Sequence, residues 1–147
     1  MSANGSPAMA GLLVAEDDED YRAVLELIFV RAGFRVRSAR DGLAALRLAI
    51  DEPPDVVLTD MDMPRLTGVE LCQALRGHPA LNDIPVAVLS GSLRPDDQRV
   101  VEARACGVLL KPSTTVDLVG AVRRLADFGR HVHADDPTLC PRTAAVP

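Results

Sequence analysis

The stretch Pro54–Gly68, PDVVLTDMDMPRLTG, decides the fold. Val56–Thr59 is a near-continuous apolar run, too short for a helix, of the kind that suits a strand covered on both faces. It ends at a carboxylate, Asp60, enters a loop containing Pro64, and resumes at Gly68 as a helix to Arg76, with Val69, Leu71, Cys72 and Leu75 at helical spacing. A buried strand, a polar turn and an amphipathic helix make up half of a βαβ unit.

The same cycle recurs on both sides. Upstream, the apolar run Gly11–Ala15 reads as a strand, followed by the acidic stretch Glu16–Asp20. Tyr21–Ala32 reads as a helix carrying Val24, Leu25, Ile28 and Phe29, closed by Gly33. Phe34–Ala39 alternates as a strand, and Asp41-Gly42 opens a helix with Leu43, Leu46 and Ile50 that Pro53-Pro54 stops. Downstream, Ile84–Leu89 is a strand ending at Ser90-Gly91, and Pro95-Asp96-Asp97 is the first turn of a helix to about Cys106. Gly107–Leu110 is a short strand ending at Lys111, and Val116–Phe128 is a helix with Leu118, Val119, Val122 and Leu125 on one stripe. Five strands alternating with five helices predict an α/β, doubly wound parallel sheet over residues 10–129. Residues 1–9 are small and polar, and 130–147 contain Pro137, Pro141 and Pro147 without periodicity; both are expected to be disordered.

Composition narrows the function. A chain of 147 residues is one domain with loose ends, and an apolar fraction of 48% supplies a core built from Leu, Val, Ile and Ala, since aromatics are only 3%. A net charge of −5 without any basic run disfavours a generic nucleic-acid binder. The start lacks the charged and apolar segments of a signal peptide, and no apolar run approaches a membrane span. Cys72, Cys106 and Cys140 are odd in number and widely spaced, which reads as reduced thiols in a soluble cytoplasmic protein. His131 and His133 stand in the tail and His78 in a loop, and none is assigned a role.

In a doubly wound fold, ligands bind outside the carboxyl ends of the strands, where strand order reverses. The polar residues fall there in turn: Glu16-Asp17 after the first strand, Asp60 after the third, Ser90 after the fourth and Lys111 after the fifth. Lys111 is the only lysine among 16 basic residues. An ammonium is a compact point charge, whereas the guanidinium used everywhere else in this chain is a wide planar fork. Three carboxylates and one ammonium leave about two uncompensated negative charges, at a cost of about 4 kcal/mol per like pair at ~4 Å and intermediate dielectric. A divalent cation resolves this, and an all-oxygen set with few protein ligands suits Mg²⁺. A carboxylate nucleophile, a cation, an ammonium and a hydroxyl are the parts that stabilise a transferring phosphoryl group.

On four motifs the chain resembles a response-regulator receiver domain of two-component signalling, over residues 10–129: LLVAEDD, PDVVLTDMDMPRLTG, VAVLSG and LLKP. The resemblance implies a flavodoxin-like (βα)5 fold with strand order 2-1-3-4-5. With no output domain in the sequence, a stand-alone, single-domain switch is expected, the alternative being a receiver cut from a longer multidomain protein. By position, Asp60 would be the phospho-acceptor, Asp17 the principal Mg²⁺ ligand, Glu16 a ligand acting mostly through water, and Asp62 a ligand through its backbone carbonyl. Ser90 would bond the phosphoryl group, Lys111 would pair with it, and Lys111-Pro112 would be cis. The implied partners are a sensor histidine kinase or phosphotransfer protein and a downstream protein target, with no direct DNA or membrane binding, the chain being a monomer or weak homodimer. It would be no conventional enzyme, catalysing only its own phosphorylation and slow dephosphorylation.

The sequence departs from the family pattern at four positions. Gly91 stands where alanine is common, Val108 where many members carry a rotating aromatic, Asp62 adds a carboxylate beside the acceptor, and Ser113 stands where an aromatic often follows Lys-Pro. Two other readings compete. VVLTDMD also resembles the nucleophile motif of haloacid-dehalogenase-like phosphatases, with Asp60 and Asp62 as nucleophile and general acid/base. The third is a phosphorylation-independent binding module that keeps the fold without the chemistry.

Overall fold

The computed structural model describes residues 9–91, 98–99, 104–111, 114–131 and 143–146. The strands are β1 Gly11–Ala15, β2 Arg35–Ala39, β3 Val56–Asp60, β4 Val86–Ser90, β5 Gly107–Leu110 and β6 Thr143–Val146. The helices are α1 Glu19–Arg31, α2 Gly42–Asp51, α3 Gly68–Arg76 and α4 Thr115–Phe128. All strand pairs are parallel, in the order β2-β1-β3-β4-β5-β6. The expected order 2-1-3-4-5 is present, with a sixth strand added at the β5 edge.

The apolar runs lack alternation because both faces of the sheet are covered. Leu12, Val14, Val56, Leu58, Ala87, Leu89 and Leu109 point into one core with α1 and α4. Leu13, Ala15, Val57, Val86, Val88 and Val108 point into the other with α2 and α3. Each strand thus feeds two cores with successive residues, as the period of two requires.

Several sequence-based details differ. Helix α1 begins two residues before Tyr21, because Asp18 caps it by accepting the Tyr21 N–H at 3.0 Å and Glu19 and Asp20 form its first turn. On α1, Leu25 and Phe29 are buried but Val24 is half exposed. On α2 the buried face is Gly42, Ala45 and Ala49, whereas Ile50 projects outward and Leu43 and Leu46 are only partly covered. A face of small residues lets α2 lie close: a Cβ on Gly42 would stand 2.3 Å from the Leu66 carbonyl oxygen. The helix expected from Pro95 to about Cys106 does not reach that far, since Arg104–Cys106 is non-helical with Arg104 at φ 59°. Within it Gln98 and Arg99 are helical, and Pro95–Asp97 lie outside the described residues.

The tail expected to be disordered from residue 130 has order in two places. The His131 N–H donates to the Asp83 carbonyl at 3.0 Å, and Arg130 pairs with Asp83 at 3.1 Å. Thr143–Val146 runs beside β5, with Gly107 opposite Thr143 and Leu109 opposite Val146. The physical reason is the edge: unpaired N–H and C=O groups on β5 offer a ladder to any extended segment in reach. The expected cis Lys111-Pro112 bond and Ser113 lie outside the described residues.

Candidate functional site

The switch point lies at β1, which pairs with β2 on one side and β3 on the other. Beyond the end of β1 the Glu16 N–H donates to Ala39 O at 3.0 Å, turning the chain inward. Glu16 is buried, at 1% exposure, and its Oε2 accepts the Asp18 N–H at 3.1 Å. Asp17 remains exposed beside it. At the end of β3, Asp60 is buried at 6% exposure, and Thr59 donates its hydroxyl to the Asp60 carbonyl.

Helix α3 is pressed directly onto this strand end. The Gly68 N–H donates to Met61 O at 2.9 Å, and a Cβ on Gly68 would stand 2.3 Å from the Asp60 carbonyl oxygen. Only hydrogen fits there. Thr67 and Glu70 close a capping box at the same turn, so the helix start is fixed by reciprocal bonds.

Lys111 is delivered by β5. Its N–H donates to the Ser90 carbonyl at 2.8 Å, locking the ends of β4 and β5 together. Its Nζ lies 2.7 Å from Asp60 Oδ1 and 3.4 Å from Glu16 Oε1. The same ammonium stands 5.0 Å from the centroid of the Tyr21 ring. Ser90 is buried at 1% exposure at the adjacent strand end, where β4 runs beside both β3 and β5.

One carboxylate oxygen each from Glu16, Asp17 and Asp60 lies within 4.8 Å of the others. Burial, opposed by the bond and charge of Lys111, holds Asp60 above its ordinary carboxylate range, with Asp17 and Asp62 adding repulsion. Burial likewise raises Glu16, against the Asp18 amide that lowers it. Burial pulls Lys111 down, but the hydrogen bond and charge of Asp60, joined by Glu16, outweigh it, and Lys111 sits above its usual value. The donor set is therefore all oxygen, over-negative and partly desolvated. It fits a small hard dication.

Four segments far apart in sequence converge: Glu16, Asp17, Asp60, Ser90 and Lys111 all stand at the carboxyl ends of β1, β3, β4 and β5. Asp62 is exposed and its side chain lies outside the three-carboxylate group, though its charge reaches Asp60. Val108 is fully buried. A groove of about 710 Å³ between α1 and α2, lined by Arg22, Ser38, Arg40 and Arg47 among others, includes neither Asp60 nor Lys111. The carboxylates and the ammonium gather instead at the strand ends. Two neighbours escaped the sequence reading. In the sequence Tyr21 marks only the start of a helix, although a lone tyrosine closing an acidic run is a signal. Gly68 stood within the resemblance motif, but its contact with Asp60 depends on the angle at which α3 meets β3.

The Response regulator receiver domain family matches residues 12–123. The transcriptional regulatory protein PrrA of Mycobacterium tuberculosis is 42% identical over 115 residues, covering 78% of this chain and 48% of PrrA. The chain thus spans about half the length of that curated relative. The chemotaxis response regulator CheY4 of Vibrio cholerae superposes with a TM-score of 0.75 at 30% identity, over 80% of this chain and 98% of CheY4. The receiver domain of the sensor histidine kinase PA1611 from Pseudomonas aeruginosa PAO1, solved with a magnesium ion coordinated in its active-site cleft, gives a TM-score of 0.75 at 26% identity, over 82% and 99% of the two chains. Since the family match runs from β1 into α4 and takes in most of the chain, this protein belongs to the response-regulator receiver domains.

Proposed function

We propose that the domain is a phospho-acceptor switch, in which Asp60 takes a phosphoryl group from the phosphohistidine of a partner kinase or phosphotransfer protein. The observation that carries this reading is the 2.7 Å pair between Lys111 Nζ and Asp60 Oδ1 inside a group of three carboxylates. An Asp60 carboxylate oxygen bonds to phosphorus as the donor's N–P bond breaks, and the bonding pair stays on the imidazole nitrogen. Lys111 pairs with the phosphoryl oxygens and Ser90 donates its hydroxyl to them. Hydrolysis of the acyl phosphate returns Asp60 to its free state, so the domain catalyses only its own cycle.

Asp17, Asp60 and the Asp62 backbone carbonyl would hold Mg²⁺, with Glu16 acting through water, its two oxygens already engaged by the Asp18 amide and Lys111. When bound, the ion supplies positive charge that offsets the crowded carboxylates and the incoming phosphoryl oxygens. The magnesium recorded in the PA1611 receiver cleft supports this assignment.

The phosphoryl group then shifts an equilibrium between two surface conformations read by a downstream protein. Moving such a switch from 1:99 to 99:1 takes ~5.5 kcal/mol of preference, and a dianion beside Lys111, Ser90 and Mg²⁺ is a fitting source. With Val108 buried in the core facing α2 and α3, no aromatic on β5 rotates inward, so repacking around Ser90 and the β4 and β5 ends carries the change. The described residues contain no helix long and apolar enough to cross a membrane. Action in the cytoplasm, as a monomer or weak homodimer that binds protein rather than DNA, completes the reading. The match to the receiver family weighs against the phosphatase alternative.

The test is labelling with radiolabelled acetyl phosphate. A label that needs Mg²⁺, is released by hydroxylamine as an acyl phosphate must be, and falls sharply in Asp17→Asn agrees with the proposal. A label that survives hydroxylamine contradicts it.

A further inference from the structure

We propose that Tyr21 is a positioning residue for Lys111, its ring holding the ammonium over Asp60; the inference rests on the phospho-acceptor reading and deepens it. The Tyr21 backbone is fixed by the α1 cap, where its N–H donates to Asp18 Oδ1 at 3.0 Å. Its ring packs against the apolar cluster that α1 and α4 share with the sheet. The ring is thus a wall anchored to the core, and Lys111 Nζ lies 5.0 Å from its centroid, within cation–π reach.

Lys111 needs such a wall. Its side chain is 31% exposed, on a flexible four-carbon stem, and it faces two carboxylates at once, Asp60 at 2.7 Å and Glu16 at 3.4 Å. Glu16 competes with Asp60 for the same charge. A ring face attracts the cation without accepting its protons, so it narrows where the ammonium rests and leaves its hydrogen bonds for the acceptor. The phenol hydroxyl is not needed for this, whereas the ring is. Removing the ring frees the ammonium toward Glu16 and water, which slows phosphoryl uptake and exposes the aspartyl phosphate to earlier hydrolysis.

The chain provides its own probes, with one lysine, one tyrosine and no tryptophan. In the 147-residue chain carrying isotope-labelled lysine, a single set of side-chain resonances reports Lys111. The expected result is a ring-current shift of those resonances in wild type and in Tyr21→Phe that collapses in Tyr21→Leu. Phosphoryl uptake from acetyl phosphate with Mg²⁺ should then fall, and the decay of the aspartyl phosphate should quicken, by about two- to fivefold in Tyr21→Leu, the scale of one partly exposed cation–π contact. Tyr21→Phe should match wild type in both. Lysine resonances unchanged in Tyr21→Leu, or a phosphorylated wild type matched in uptake and decay by both variants, would overturn the proposal. A ring that served only for packing would lower the melting temperature of Tyr21→Leu while leaving phosphoryl uptake and decay unchanged, which would overturn the proposal. A wild type that never takes up phosphoryl contradicts the phospho-acceptor reading instead. The mobility of the Lys111 side chain, read by NMR relaxation as higher in Tyr21→Leu than in wild type or as unchanged, still decides whether the ring positions the ammonium.

Discussion

At the residue scale, the site is a place where charge is held against its preference. Asp60 and Glu16 are both raised by burial, so without metal their ionised forms oppose folding. Between their ordinary and raised values the folded chain binds more protons than the unfolded chain, and stability there falls as pH rises. Their contribution is full below the ordinary carboxylate range and is lost as pH climbs through the raised values. Lys111 also sits above its usual value, so its contribution persists at neutral pH and is lost only as pH climbs through that raised value. The metal-free Asp60→Asn variant should therefore melt higher than wild type at neutral pH, and the gap should narrow as the pH is lowered. Calorimetry across that pH range checks it, and a variant melting lower at neutral pH would contradict the burial argument. Adding Mg²⁺ should raise the wild-type melting temperature and leave Asp60→Asn little changed. Lys111→Arg keeps the charge but substitutes a planar fork for a point donor. Its rate of uptake should fall by a factor on the order of 10², the scale of losing one preorganised donor, as phosphorylation time courses would show.

At the element scale, precision comes from how closely α3 meets β3. Gly68 packs on the Asp60 carbonyl, so Gly68→Ala forces the helix off the end of β3. The expected loss is about 1–3 kcal/mol of stability, typical of overpacking, read by urea unfolding, with slower phosphorylation because the acceptor end moves. Thr67→Ala removes the cap of the same helix and should cost about 1 kcal/mol. The strands were legible because runs such as Leu12–Ala15 and Val56–Leu58 are apolar at every position, which only a doubly covered sheet requires. The α2 face was not, because hydrophobicity favoured Ile50 while close packing selected Ala45 and Ala49. Strand β6 was invisible for another reason: Thr143–Val146 carries no pattern of its own, and the open edge of β5 gives it a partner.

At the scale of the whole molecule, the fold brings four strand ends to one switch point and leaves the two cores to hold them rigid. Asp60 and Lys111 are far apart in sequence, yet they meet because β4 alone separates β3 from β5 and the Ser90 carbonyl holds the Lys111 backbone. The convergence of Glu16-Asp17, Asp60, Ser90 and Lys111 at the strand ends could be read from the chain, since each follows an apolar run. The depth of Glu16 and the ring beside Lys111 could not, because both depend on how α1 leaves β1. The most direct test of the central claim is intact mass after incubation with acetyl phosphate and Mg²⁺. The account requires a gain of one phosphoryl group in wild type and none in Asp60→Asn. No gain in wild type, or an equal gain in the variant, would contradict it.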